Sequence, residues 1–160
     1  MHDGIYSRLN VRLCDMAHID FLIPILIDEF DTWSHDSSRN YLQQILKSSS
    51  CSAGVLAAQN DESYFVGLLI YEFREGSSNL GAKKKEEEHF SLEIISMLST
   101  NSMFRKEIIG SLIKGVQAIC VNNYCDLIKI PNHSDVVEIL ERDHKNNLIE
   151  KTPDWIYLTL

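Results

Sequence analysis

The sequence predicts an α/β domain: a mixed, mostly antiparallel central sheet of six or seven strands with four helices. Three observations carry this. Apolar residues recur with period two in some segments and at helical spacing in others, and the two kinds are interleaved along the chain. Two apolar runs flank the turn-forming NDES, which is the pattern of an antiparallel hairpin. An apolar strand, a long amphipathic helix and a second short strand then follow one another, as in a crossover connection.

Taken in order, RLNVRLC alternates Leu9, Val11 and Leu13 with Arg8, Asn10 and Arg12, a half-buried first strand. Asp15 is placed to cap a helix carrying Ile19, Leu22, Ile23, Leu26, Ile27 and Phe30, with Pro24 as either a kink or a late first turn. After DTWSHDSS, Ser38 can cap a shorter helix over Tyr41, Leu42, Ile45 and Leu46. SAGVLAAQ and YFVGLLIYEF form the hairpin, and REGSSNLGAKKKEEEH, without periodicity, reads as a solvated mobile loop over about 75–89. FSLEIISML is near-continuously apolar, as a central strand should be. The next helix places Ile108, Ile109, Leu112, Ile113, Val116, Ile119 and Cys120 on one face. CDLIKIP is a strand ended by Pro131, Ser134 can cap a helix over DVVEILERD, and NLIEKTPDWIYLTL supplies one or two closing strands that turn at Pro153 and Asp154.

The 160 residues make one domain's worth of chain, read as a single unit over 1–160, with 44% apolar and 24% charged residues. A formal charge of -8 sets the mean field against polyanions, so no nucleic-acid partner is expected. The N-terminus lacks the basic and apolar regions of a signal peptide and no apolar run approaches the roughly 20 residues of a membrane span, so no membrane partner and a cytoplasmic location are expected. Cys14, Cys51, Cys120 and Cys125 form no Cys-x-x-Cys pair and read as free buried thiols. His35, His133 and His144 lack the spacing of known metal sites, and no metal is expected.

MFRKEIIGSLIKGVQAI crowds basic residues and a glycine at the entrance of the long helix. A helix N-terminus presents unpaired N–H groups and about half a positive charge, which suits a phosphate. RKEIIG, with Arg105 first and Gly110 last, together with the element order from about Leu9 onward, resembles the GCN5-related N-acetyltransferase (GNAT) family. Its motif is Arg or Gln, two residues, Gly, one residue, then Gly or Ala. Ile108 stands where the family has its middle glycine, so its branched side chain must turn toward the core or hold the cofactor less closely.

The resemblance implies an acyl-CoA N-acyltransferase architecture with acetyl-CoA wedged between the fourth and fifth strands. Leu98, Ser99 and Thr100 at the end of one strand and Arg105, Lys106, Ile108, Ile109, Gly110 and Ser111 at the helix entrance would then hold the cofactor. Backbone amides around Leu98 and Ser99 would polarise the thioester carbonyl. It also implies transfer to an amine, which must lose a proton. Glu93, flanked by Leu92, Ile94 and Ile95, is the best-placed carboxylate base, or else it faces solvent on the polar side of its strand. The family's helix tyrosine, which protonates the leaving thiolate, is replaced by Leu140, leaving Tyr124 and His133 as candidate acids. The first two helices would shape the acceptor pocket, where Asp28, Glu29 and Asp31 beside Trp33 would attract a cationic small-molecule or peptide amine. The missing glycine and tyrosine equally suit a non-catalytic GNAT-fold module that binds acyl-CoA or a protein. An exposed edge at WIYLTL would allow a homodimer.

Overall fold

The computed structural model describes residues 9–47, 52–78, 87–100 and 103–159, with 75–78 and 87–89 as backbone only. β1 (Asn10–Leu13) leads through a 3-10 turn, Met16–His18, into α1 (Ile19–Glu29), and α2 (His35–Leu46) follows. Then come β2 (Ala53–Gln59), β3 (Phe65–Ser78), β4 (Glu87–Ser99), α3 (Arg105–Asn122), β5 (Leu127–Pro131), α4 (Ser134–Asp143), β6 (Leu148–Lys151) and β7 (Trp155–Thr159). The seven strands form one sheet in the order β1-β2-β3-β4-β5-β7-β6, antiparallel throughout except for the parallel pair β4 and β5. The mixed, mostly antiparallel sheet with four helices is the architecture expected from the pattern.

The helices divide between the two faces as their apolar stripes require. Ile108, Ile109, Leu112, Ile113 and Val116 of α3 pack with Ile139 and Leu140 of α4 on a face lined by Leu92, Ile94, Ile128, Ile130, Ile156 and Leu158. Leu22, Ile23 and Leu26 of α1 and Leu42 of α2 cover the opposite face, over Val55, Leu68, Ile70 and Leu98. Each such side chain contributes about 1.5–3 kcal/mol when fully buried. α1 and α2 sit over β2, β3 and β4, so the same face of β5, β7 and β6 lies beyond them.

Local chemistry corrects several boundaries. Ser34, not Ser38, caps α2: its hydroxyl accepts from the Ser37 amide at 3.1 Å, and the Ser34 amide donates in return to the Ser37 hydroxyl at 2.9 Å. Ser38 is buried one turn later. Asp15 caps the 3-10 turn ahead of α1, and Pro24 lies inside α1. The stretch read as a loop over 75–89 is in part strand, since β3 and β4 pair from Gly67↔Ser99 out to Ser78↔Glu87. Its paired residues are polar or glycine, so no alternation of apolar and polar residues marked it as strand. The remaining residues, 79–86, lie outside the described residues, as does Cys51, whereas Cys14, Cys120 and Cys125 are free and buried. Finally, WIYLTL is not an edge. β7 is held between β5 and β6, and the short β6 is the outer strand, which removes the basis for pairing through β7.

Candidate functional site

β4 and β5 pair over only three positions, Ser91↔Leu127, Leu92↔Ile128 and Glu93↔Lys129. Beyond Glu93 the two strands part, although β4 runs on to Ser99 and β5 to Pro131. The cause is local. β4 carries a bulge where Ile70 faces Ser96 and Tyr71 faces Ile94, leaving Ile95 as the extra residue. A bulge bends its strand and sharpens the twist, so β4 swings away from β5. Pro131, with no N–H to donate, ends β5 as it leaves toward α4.

Backbone alternation decides which groups face the gap. The Thr100 amide donates to Val66 O at 2.9 Å, which directs it to β3, and the Leu98 carbonyl lies against Gly67 on the same side. Peptide groups of alternate residues point to opposite neighbours. Met97 and Ser99 are therefore the residues whose backbone is directed to the β5 side. The expectation for Leu98 and Thr100 is corrected accordingly: their amides belong to the β3 ladder, and the Thr100 hydroxyl also donates to Val66 O at 3.1 Å. Met97 was missed because only strand register reveals it.

Two helices begin at the open end, α3 just after β4 and α4 just after β5. Phe104, the N-cap of α3, offers no side-chain acceptor, and the first helical hydrogen bond is from the Ile108 amide to Phe104 O at 3.0 Å. The amides of residues 105–107 thus precede the first residue with a helical acceptor, the arrangement suited to an anion. Ile108 does turn inward: it is fully buried, and a Cβ on Gly67 would run into its Cγ2. Ile109 is fully buried as well, so neither side chain can touch a ligand. Lys106, Gly110 and Ser111 line a groove of about 260 Å³ on the outer flank of α3, with Lys114, Arg142 and Asp143. A Cβ on Gly110 would come no closer than 3.9 Å to Ile139, so close packing does not demand glycine there.

Arg105 is ion-paired to Asp135 in the first turn of α4, and Lys106 Nζ meets Glu138 at 2.7 Å. These pairs tie the two helix starts across the mouth of the gap. Burial pushes the Asp135 carboxyl up, but the hydrogen bond and charge of Arg105 outweigh it and leave the group below its usual range. Because the folded value is depressed, this stabilisation is present above the unfolded value of about 3.9 and disappears as pH falls through the folded one. Asp135→Asn should therefore cost about 1 kcal/mol at pH 7, roughly 2–4 °C in melting temperature. Melting curves should show that gap closing below about pH 4, and a pH-independent difference would remove the ion pair as its cause.

The other expected residues divide by location. Glu93 stands at the last paired position, on the face shared with α1 and α2, where Arg74 Nε reaches its carboxylate at 2.8 Å and the side chain is 14% exposed. His133 follows β5 at the open end as the exposed N-cap of α4. Tyr124 is not brought to the gap. It precedes β5 at the paired end, is 92% exposed, and takes φ 57, the left-handed turn that ends α3. Leu140 is buried in the core, so α4 presents no hydroxyl there. Asp28, Glu29 and Asp31 are exposed around the C-terminal end of α1, about 10 Å along the helix from Phe21, whose ring meets Phe65 at the start of β3. Trp33 follows them in the same turn. It stacks on Phe30 at 5.0 Å and lines an open groove of about 560 Å³ with Thr32, Ser37, Asn40, Tyr41 and Gln44, all uncharged. Asp28, Glu29 and Asp31, expected beside Trp33 in an acceptor pocket, do not line that groove.

Three residues that sequence reasoning passed over surround Glu93. Lys129 is its partner on β5, Tyr157 is the partner of Lys129 on β7, and Arg74 bridges Glu93 to Glu72 at 2.8 and 3.1 Å. Burial, with help from Glu150 and Glu93, pushes the Tyr157 phenol up, so it keeps its proton.

No family model matches this sequence, and no curated protein matches it. Solved structures do. Aminoglycoside N-acetyltransferase AAC(6')-Iy, bound to the bisubstrate analogue CoA-S-monomethyl-acetylneamine, superposes with a TM-score of 0.67 at 14% identity, over 91% of this chain and 95% of that one. Aminoglycoside 6'-N-acetyltransferase AAC(6')-Ih from Acinetobacter baumannii gives 0.63 at 11% identity, over 91% and 95%. A ribosomal-protein-alanine N-acetyltransferase from Brucella melitensis biovar Abortus 2308 gives 0.62 at 13%, over 92% and 94%. The class of protein this defines is an α/β domain with a parted parallel strand pair. More particularly, the chain has the acyl-CoA N-acyltransferase fold of the GCN5-related N-acetyltransferases.

Proposed function

We propose that the protein is an N-acetyltransferase that moves the acetyl group of acetyl-CoA to an amine. The observation that carries this reading is the parting of β4 from β5 after Glu93↔Lys129, with two helix N-termini at its open end. A thioester lying in that gap meets the backbone of Met97, whose N–H group suits the oxyanion that forms on attack. The diphosphate end suits the first-turn amides of α3.

The amine nitrogen attacks the thioester carbonyl, the new C–N bond forms, and collapse of the tetrahedral intermediate breaks the C–S bond. Glu93 takes the proton the amine gives up, and His133, at the end of β5, is the candidate donor to the leaving thiolate. A thiol of pKa about 8.5 also leaves without an acid, so the buried Leu140 does not stop the reaction.

Calorimetry and thermal melting with CoA and acetyl-CoA test the first step. A ligand that binds only the folded state at 100 times its Kd adds about 2.7 kcal/mol, roughly 5–10 °C for a chain of this size. No shift at millimolar CoA sinks the proposal. A second reading, a module that binds acyl-CoA without transferring the acyl group, is favoured by the absence of a tyrosine on α4. Binding without thiol release across a panel of amines would establish that one instead.

A further inference from the structure

The register of five strands places Glu72, Glu93, Lys129, Tyr157 and Glu150 in one row across the sheet, on the face that α1 and α2 leave uncovered over β5, β7 and β6. The opposite face of the fork is filled by Leu92, Ile94, Ile128 and Ile130. An acceptor can approach the point where β4 and β5 part only from the charged side.

Charges along this row are not uniform. Glu72 and Glu93 share Arg74, which leaves that group with one net negative charge beside β4. Lys129, one strand over, has no carboxylate within ion-pair distance among the described residues. Its Nζ lies 4.1 Å from the centre of the Trp155 ring, two register positions nearer the gap on the same face. Adjacent strands are about 4.8 Å apart. A carboxylate and an ammonium thus stand side by side at the vertex of the fork, with an indole as the floor on the cationic side. The remaining charge on the row, Glu150, lies two strands away from Lys129, beyond Tyr157.

We infer that the acceptor carries an anionic group, a carboxylate or a phosphate, within a few bonds of its amine. The amine faces Glu93 and the anion faces Lys129. This rests on the acetyltransferase reading and narrows it. A polycation such as spermidine would bring a second positive charge onto Lys129, and the acidic residues Asp28, Glu29 and Asp31 lie around the end of α1, not in this row. Like charges juxtaposed in this way discriminate against a partner.

The test measures thiol release from acetyl-CoA with the twenty L-amino acids, the methyl esters of those accepted, glucosamine 6-phosphate, glucosamine and spermidine. At least a tenfold advantage in kcat/KM of an acid over its ester, or of the phosphorylated amino sugar over the free one, is expected, and which pair shows it identifies the anion. Lys129→Met should collapse that ratio toward one, and Lys129→Arg should keep most of it. An ester, glucosamine or spermidine used as well as the acids would overturn the inference, as would a Lys129→Met loss that falls equally on acid and ester. Calorimetry with acetyl-CoA separates the two levels. Failure to bind it removes the transferase reading and this inference together, whereas binding with turnover of cationic or neutral amines alone removes only this inference.

Discussion

Replacing Ile108 by glycine, which would restore the family motif, should destabilise the protein by about 4 kcal/mol and leave CoA affinity no better. Deleting a fully buried Ile side chain costs about 2–5 kcal/mol, and glycine in a helix adds about 1. Against a total of roughly 5–15 kcal/mol the loss is large, and a drop of about 10 °C in melting temperature is expected. The reason lies across the interface. Gly67 on β3 leaves the space that the Ile108 side chain fills, and Leu112 Cδ1 stands 3.3 Å from where a Gly67 Cβ would be. Gly67→Ala should therefore be costly alone and cheaper in an Ile108→Ala background. Some tension will persist, because the Leu98 carbonyl, 3.3 Å away, belongs to backbone that cannot yield. Chemical denaturation of the two single variants and the double variant measures the coupling. Additive costs would mean that the two residues do not share one space, and an unchanged melting temperature for Ile108→Gly would mean that the helix entrance is not packed as described.

The same pair shows what the sequence made legible. Apolar periodicity in IIGSLIKGVQAI located α3 and the face it buries, alternation located β1, and turn chemistry located the β2–β3 hairpin and the end of β5. These signals are local, and local chemistry sets them. What escaped was set by register. Arg74 looked like the first residue of a polar loop because nothing in REGSS reveals that its strand continues. Its charge mattered only once pairing with β4 set it against Glu93. Lys129 and Tyr157 lie 28 residues apart in sequence and come together through β5 and β7, and neither strand alone marks its outward face as special. The bulge at Ile95 carries no glycine or proline to announce it. Tyr124 and the Asp28–Glu29–Asp31 cluster drew notice for residue type, and the fold put the first at the wrong end of β5 and the others around the end of α1. Chemistry at this fork is thus a property of strand order, which residue type cannot supply.

Glu93→Gln should lower kcat by roughly 100-fold to 10,000-fold, the usual weight of a general base, while leaving acetyl-CoA affinity within a factor of about two. The split follows from position. Glu93 sits on the face away from α3, at the last paired position, whereas the cofactor is assigned to the backbone of β4 and to the helix starts. The amide of glutamine keeps an oxygen for Arg74 Nε, and Arg74 retains Glu72, so the local ion pair is weakened without being emptied. A purely structural role would instead show in melting temperature and in KM, with kcat nearly unchanged. Arg74→Met supplies the contrast: it frees Glu93 from its clamp and should disturb the placing of the carboxylate, raising KM for the amine along with a smaller loss in kcat. Equal kcat for Glu93→Gln and the parent protein would remove Glu93 as the proton acceptor and leave that step to water.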